Sequence, residues 1–291
     1  MEDVGEQSGE ELGVVPEATQ GRQPDERFSI QYIEDLLQPI EEEVYQLMRS
    51  HRNSGHGYDH IIKVTELAYH AMNSDPEILD SYVKICIVLA AYLHEVDDRK
   101  LFGTDDYANA RMLLQKMNVI SHCYPPEKWK DLTIRMISLI SCSSNGNAPV
   151  RHKWMAIPRD ADRIQAIGHE GIRRCYDFTV SRNAAMYTSS TLRPKTLEEM
   201  RALPPSLLDE YVARGGKSDS MMDHYPDKLL WMGNMASGNA YLEEIAKRKM
   251  HCIEMYYWAW SVSGIITKPD VWDGCCKAIP HRELPCELTC E

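Results

Sequence analysis

Between Ile85 and Ala91 the chain reads ICIVLAA, and the nine residues that follow read YLHEVDDRK. A run this continuously apolar does not suit a surface helix, which keeps one polar side; it predicts a helix enclosed by other elements. At its end stand a histidine, three carboxylates and two cations. So much charge at the end of a buried helix is costly unless water, ion pairs or a metal ion compensates it. The chain therefore has to surround this helix and place a polar site at its C-terminal end.

Apolar residues recur at helical spacing through nearly every other segment. Ile30, Ile33, Leu36, Leu37, Ile40, Val44 and Leu47 share one face of a first helix, with Pro39 expected as a break or kink. Ile61, Ile62, Val64, Leu67 and Ala68 mark a second, from about Tyr58 to Met72. The central helix is expected to begin after Asp75-Pro76, with proline in its first turn, and to pass through Val83, Ile85, Val88 and Leu89 to His94. Thr104-Asp105-Asp106 reads as the capped start of a fourth. Further helices are expected near 127–142, 160–182 and 226–262. Strand-like alternation is absent, so the predicted fold is all-α.

The 291 residues, 43% of them hydrophobic, suffice for one large core. Residues 1–27 carry half of the net charge of −12, hold no periodic apolar face and are expected to form a disordered acidic tail. The helical domain is assigned to 28–266. Within it, 183–223 holds Pro194, Pro204, Pro205 and the Gly215-Gly216 pair, and reads as an inserted loop or lid with one or two short helices. Residues 267–291, with Pro269, Pro280 and Pro285, are expected to be irregular. An acidic chain does not suit nucleic-acid binding. Neither a leader peptide nor an apolar run of about 18–20 residues is visible, so a cytoplasmic protein away from membranes is expected. The nine cysteines read as reduced thiols; Cys275, Cys276, Cys286 and Cys290 with His281 lack a familiar zinc spacing.

Two further segments match the chemistry of HEVDDRK: GHGYDH at 55–60 and RDADR at 159–163. His60, His94, Glu95 and Asp162 then supply two imidazoles and two carboxylates from three predicted helices, a set suited to a divalent metal with positions left for water and substrate. Taken singly, His60 reads as a surface or capping residue, Asp160 as an N-cap, and Asp97 with Arg99 as a solvated pair. Neither His94-Glu95 nor His169-Glu170 completes a zinc-protease HExxH, because Asp98 and Arg173 stand where the second histidine is needed. Glycine-rich phosphate loops are missing.

The order and surroundings of these residues resemble the HD-domain metal-dependent phosphohydrolases. DHIIKVTELA at 59–68 looks like the first motif of that family and AAYLHEVDDRK at 90–100 like its His-Asp motif. DADRIQAIGHEGIRRC at 160–175 is similar to the DADR motif of one nucleotide pyrophosphohydrolase-like branch, and HYPDKLL at 224–230 with the helix of Arg248 to that branch's C-terminal half. The resemblance spans about 30–265 and implies a helical bundle with metal ligands His60, His94, Glu95 and Asp162. It also implies that Asp98 helps to activate water, that Arg99, Lys100, Arg163, Lys228 and Arg248 neutralise phosphate, and that His224 lies with Arg248 among the substrate contacts.

The expected activity is hydrolysis of a nucleotide or other small phosphoester or phosphoanhydride, with Mn, Fe, Co, Ni, Zn or Mg as the metal and a homodimer as a candidate assembly. The alternative is a weakened HD-type module that senses nucleotides or serves as an interaction domain. Glu95 stands where the family has aspartate. Its extra methylene displaces the carboxylate by ~1.5 Å, against a metal-site tolerance of about 0.2 Å. Restoring aspartate is therefore expected to tighten metal binding.

Overall fold

The computed structural model describes residues 29–50, 57–78, 80–99, 101–117 and 126–272. Twelve α-helices and no strand occur among them: α1 Ile30–Met48, α2 Tyr58–Ser74, α3 Ser81–Leu93, α4 Ala108–Lys116, α5 Pro126–Ile140, α6 Cys142–Asn145, α7 Ile157–Gln165, α8 Gly168–Ser181, α9 Leu197–Arg201, α10 Ser206–Ala213, α11 His224–Asp227 and α12 Ala240–Ser263. The all-α expectation holds. The acidic tail at 1–27 and the cysteine-rich end from 273 lie outside the described residues.

The central helix is α3, in which every side chain from Val83 to Leu93 is buried. It packs between α2, α5 and α7, and α7 also packs on α2. Its start differs from expectation. Asp80 is the N-cap and accepts the Tyr82 N–H at 2.8 Å, whereas Pro76 sits in a preceding turn where the Asp75 side chain accepts the Glu77 N–H at 2.9 Å. A carboxylate that binds the orphan amides of the first turn outweighs a proline that merely tolerates the position.

Pro39 does not break α1. Ile33 and Leu37 on one side of it and Ile40, Val44 and Met48 on the other are all buried, and that continuous apolar stripe offsets one missing backbone hydrogen bond. Thr104 does not cap a helix at 104–106 either; α4 begins at Ala108, after Asp106 and Tyr107 in the left-handed region at φ 51° and 56°.

The helix expected over 160–182 is two helices, α7 and α8. Gly168, at φ +77°, makes the break, and at Gly171 an added Cβ would meet the Ala166 carbonyl oxygen at 2.2 Å. The expected 226–262 helix is likewise divided into α11, a 3-10 turn at Leu229–Trp231, and α12. Asn239 starts α12 by accepting the Leu242 N–H and donating to the Ala71 carbonyl of α2 at 2.8 Å. In α12 Tyr256, Tyr257 and Trp260 are buried, as expected of the aromatic run there.

Segment 183–223 carries α9 and α10 and is packed into the fold. Met200, Leu208, Tyr211, Met221 and Met222 are buried, Tyr211 and Ser143 share a hydroxyl hydrogen bond at 3.2 Å, and Arg214 pairs with Asp227 at 3.0 Å. Beyond 267, Pro269–Trp272 forms one 3-10 turn. Among the described residues no helix is long and apolar enough to cross a membrane. Cys86, Cys142 and Cys175 are free thiols.

Candidate metal centre

The third residue of α2, the C-cap residue of α3, its successor and the middle of α7 meet at one point. His60, His94, Glu95 and Asp162 each direct one ligand atom into a space where all four lie within 4.8 Å of one another. His60 Nε2 is 3.1 Å from Asp162 Oδ1, 3.3 Å from His94 Nε2 and 3.3 Å from Glu95 Oε1. His94 Nε2 lies 3.4 Å from Glu95 Oε1 and 3.8 Å from Asp162 Oδ1. The Ala91 carbonyl, 2.7 Å from His94 Nδ1, can only accept, so Nδ1 carries a proton and Nε2 is turned to the cluster.

Two imidazole nitrogens and two carboxylate oxygens at these distances would repel as bare lone pairs, so the arrangement favours a shared proton or a metal ion. Ligand bonds of about 2.0–2.2 Å would separate neighbouring donor atoms by ~3 Å at right angles and by ~3.5 Å at tetrahedral angles. Four of the five spacings, 3.1–3.4 Å, fall in that range and the His94–Asp162 spacing of 3.8 Å is somewhat longer, while the mixed nitrogen and oxygen donors suit a divalent transition metal. The four residues therefore fit such an ion.

Local electrostatics agree. Burial opposes a charge on His94, but the Glu95 hydrogen bond and the charges of Glu95 and Asp162 outweigh it and raise its pKa to about 9. Burial likewise opposes ionisation of Asp162, yet its hydrogen bond to His60 and the imidazole charges hold it well below the usual carboxylate range. Asp162 retains 21% side-chain exposure against 4% for His94 and 5% for Glu95, so the centre opens to solvent on the α7 side.

Asp98 and Arg99 follow in the same turn, Asp98 partly buried and Arg99 exposed. Lys100 lies outside the described residues. Arg163 is displaced from its expected role. Its guanidinium is buried at 1% exposure and donates to Asn147 Oδ1 at 2.7 Å, to the Asn234 carbonyl at 3.1 Å and to the Gly146 carbonyl, holding two loops against α7. Successive residues of a helix point about 100° apart, so Arg163 faces the interior where Asp162 faces the cluster. Lys228 is partly buried beside Cys175 on α8, whose thiol it influences. His224 Nδ1 is 3.1 Å from Ser218 Oγ, with its ring edge-on to Tyr211. Arg248 sits on α12, 3.8 Å from Glu244.

Two other readings change. Asp160 is not an N-cap; it is fully buried and accepts the Ser237 N–H at 2.7 Å. Asp97 is not one of a solvated pair. It is buried and accepts from Thr104 Oγ1 at 2.6 Å, from the Asn109 N–H at 3.1 Å and from the Ala110 N–H at 2.8 Å. The only sequence signal for this was the pair of cap-forming residue types, Thr104 and Asn109, a short way downstream.

No family model matches the chain. Among solved structures, a structural-genomics protein of Lactobacillus plantarum shares the helical fold, with a TM-score of 0.58 at 20% identity over 79% of this chain and 97% of that one. Bacillus subtilis YpgQ, solved in complex with ADP, aligns with a TM-score of 0.49 at 20% identity over 77% of this chain and 92% of that one. The uncharacterized protein L803 of Acanthamoeba polyphaga mimivirus is 39% identical over 232 residues, covering 76% of this chain and 94% of that protein. At that identity and coverage the chain belongs to the same family as the mimivirus protein L803.

Proposed function

We propose that the protein is a metal-dependent phosphohydrolase that acts on a nucleotide or another small phosphoester or phosphoanhydride. The observation that carries this reading is the convergence of His60, His94, Glu95 and Asp162 from three helices, in the order and sequence context that resemble the HD-domain phosphohydrolases. Those four side chains would hold a divalent ion, which when bound lowers the pKa of its water toward about 7 and polarises phosphoryl oxygens.

The chain's own residues supply the rest. The Ala91 carbonyl fixes the His94 ring, so that Nε2 is aimed at the centre before any ion arrives. Burial of His60, His94 and Glu95 keeps bulk water from three sides of the centre and strengthens every charge interaction within it. Asp98, one turn beyond His94, is the candidate to orient the attacking water and take its proton. Arg99, exposed in the same turn, is the candidate cation for the phosphate. Arg163, buried and donating to Asn147, Asn234 and Gly146, is assigned to the support of α7.

The test measures phosphate and pyrophosphate release from a panel of nucleotides, using metal-stripped protein resupplied with Mn²⁺, Co²⁺, Ni²⁺ or Mg²⁺. Metal-dependent turnover of one nucleotide group, abolished in His94→Ala with helix content unchanged by circular dichroism, is the expected result. Equal turnover in that variant would overturn the site.

A further inference from the structure

The turn that carries Glu95 lies just beyond the last residue of α3. Val96 donates to the Leu93 carbonyl at 3.4 Å and Asp98 to the Glu95 carbonyl at 3.1 Å, and there α3 has already ended. A glutamate side chain has several rotatable bonds, so its carboxylate is placed reproducibly only if its backbone is. Metal sites tolerate only about 0.2 Å of error in ligand distance.

What fixes this turn is Asp97. Its carboxylate is saturated by the Thr104 hydroxyl and by the backbone N–H groups of Asn109 and Ala110. Both amides belong to the first turn of α4, whose positive end favours a carboxylate. α4 has no cap of its own there, since Tyr107 at its N-cap position is left-handed and makes no side-chain capping bond. Asn109 closes the tie in the other direction, its Nδ2 donating to the Val96 carbonyl at 2.7 Å. α4 is itself anchored: Leu113 and Leu114 are buried, it packs on α5 and α1, and Lys116 pairs with Glu43 of α1.

We propose that Asp97, together with Asn109, is a positioning residue for the metal centre, bolting the Glu95–Asp98 turn to α4 so that the Glu95 carboxylate faces both imidazoles. This rests on the metal-centre reading above. Asp97 touches neither ligand atoms nor substrate; it acts through the backbone of Val96 and the residues on either side.

The test is Co²⁺ binding to metal-stripped protein, followed by titration calorimetry and by the visible spectrum of the bound ion, at a temperature where each variant is fully folded. Asp97→Asn and Asn109→Ala are expected to weaken Co²⁺ binding by about 10-fold or more, the usual effect of removing a residue that orients a metal ligand, and to alter the spectrum. Thr104→Val, which removes one of three donors, is expected to give a smaller loss and remains informative if Asp97→Asn does not fold. Gln115→Gly loosens the exposed face of α4 without touching the tie. It is expected to lower the melting temperature while leaving Co²⁺ affinity within about twofold, well short of that orienting effect. Unaltered Co²⁺ affinity in Asp97→Asn, or an equal loss in Gln115→Gly, would overturn the inference while the metal centre stands. A wild-type chain that binds no divalent ion would overturn both.

Discussion

At the scale of single residues, Glu95 is the position where the geometry leads to a different prediction from the sequence. Compared with the aspartate of the resembled family, glutamate projects its carboxylate ~1.5 Å farther, which read alone predicts a poorly placed ligand. In the fold its Oε1 lies 3.3 and 3.4 Å from the two imidazole nitrogens, so the turn has been set for the longer side chain. Glu95→Asp is therefore expected to weaken metal binding by about 10-fold or more, because the shorter side chain withdraws its oxygen by several times the tolerated error. Titration of metal-stripped protein with Mn²⁺ or Co²⁺ checks it; tighter binding would mean that the backbone follows the side chain. That His60, His94, Glu95 and Asp162 form one cluster was legible because chemistry-bearing residues stood together in short motifs. The fate of Arg163 was not, because a cation next to Asp162 in sequence points about 100° away from it on a helix and finds three carbonyl-type acceptors only in the folded chain.

At the scale of elements, periodicity located the helices and misjudged their ends. A 3.6-residue repeat continues across Ala166–Gly168 in the sequence, whereas the backbone turns there because Gly168 adopts a positive φ that other residues resist. Helix starts were decided by which side chain reaches the first-turn amides: Asp80 for α3, Asp97 for α4 and Asn239 for α12. Only Asp80 and Asn239 are adjacent in sequence to the helix they begin. Asn239 also joins α12 to α2 through the Ala71 carbonyl. Asn239→Ala is accordingly expected to cost about 1–2 kcal/mol, somewhat more than a surface cap, since it also leaves a buried carbonyl without that donor. Urea unfolding followed by circular dichroism measures it, and a change below about 0.5 kcal/mol, the level of an ordinary surface substitution, would show that neighbours compensate.

At the scale of the whole molecule, the candidate metal centre joins α2, α3 and α7, so an ion held there should stabilise the entire domain. A ligand at 100 times its dissociation constant adds about 2.7 kcal/mol to the folded state. For a domain of this size that corresponds to a rise of roughly 5–10 °C in melting temperature. The rise should appear with Mn²⁺ or Co²⁺ in the wild type and vanish in His94→Ala. A rise that persists in the variant would place ion binding elsewhere.

What the sequence determined by itself is the all-α class, the buried central helix and the residue types able to hold a divalent ion, because each is written in local spacing and composition. Tertiary structure alone decided that Glu95 reaches the imidazoles, that Arg163 turns inward and that Asp97 ties one turn to a helix begun eleven residues later. The reason is common to all three: each depends on where a distant segment of backbone presents its amides, carbonyls or rings, and helical periodicity carries no information about partners that far along the chain.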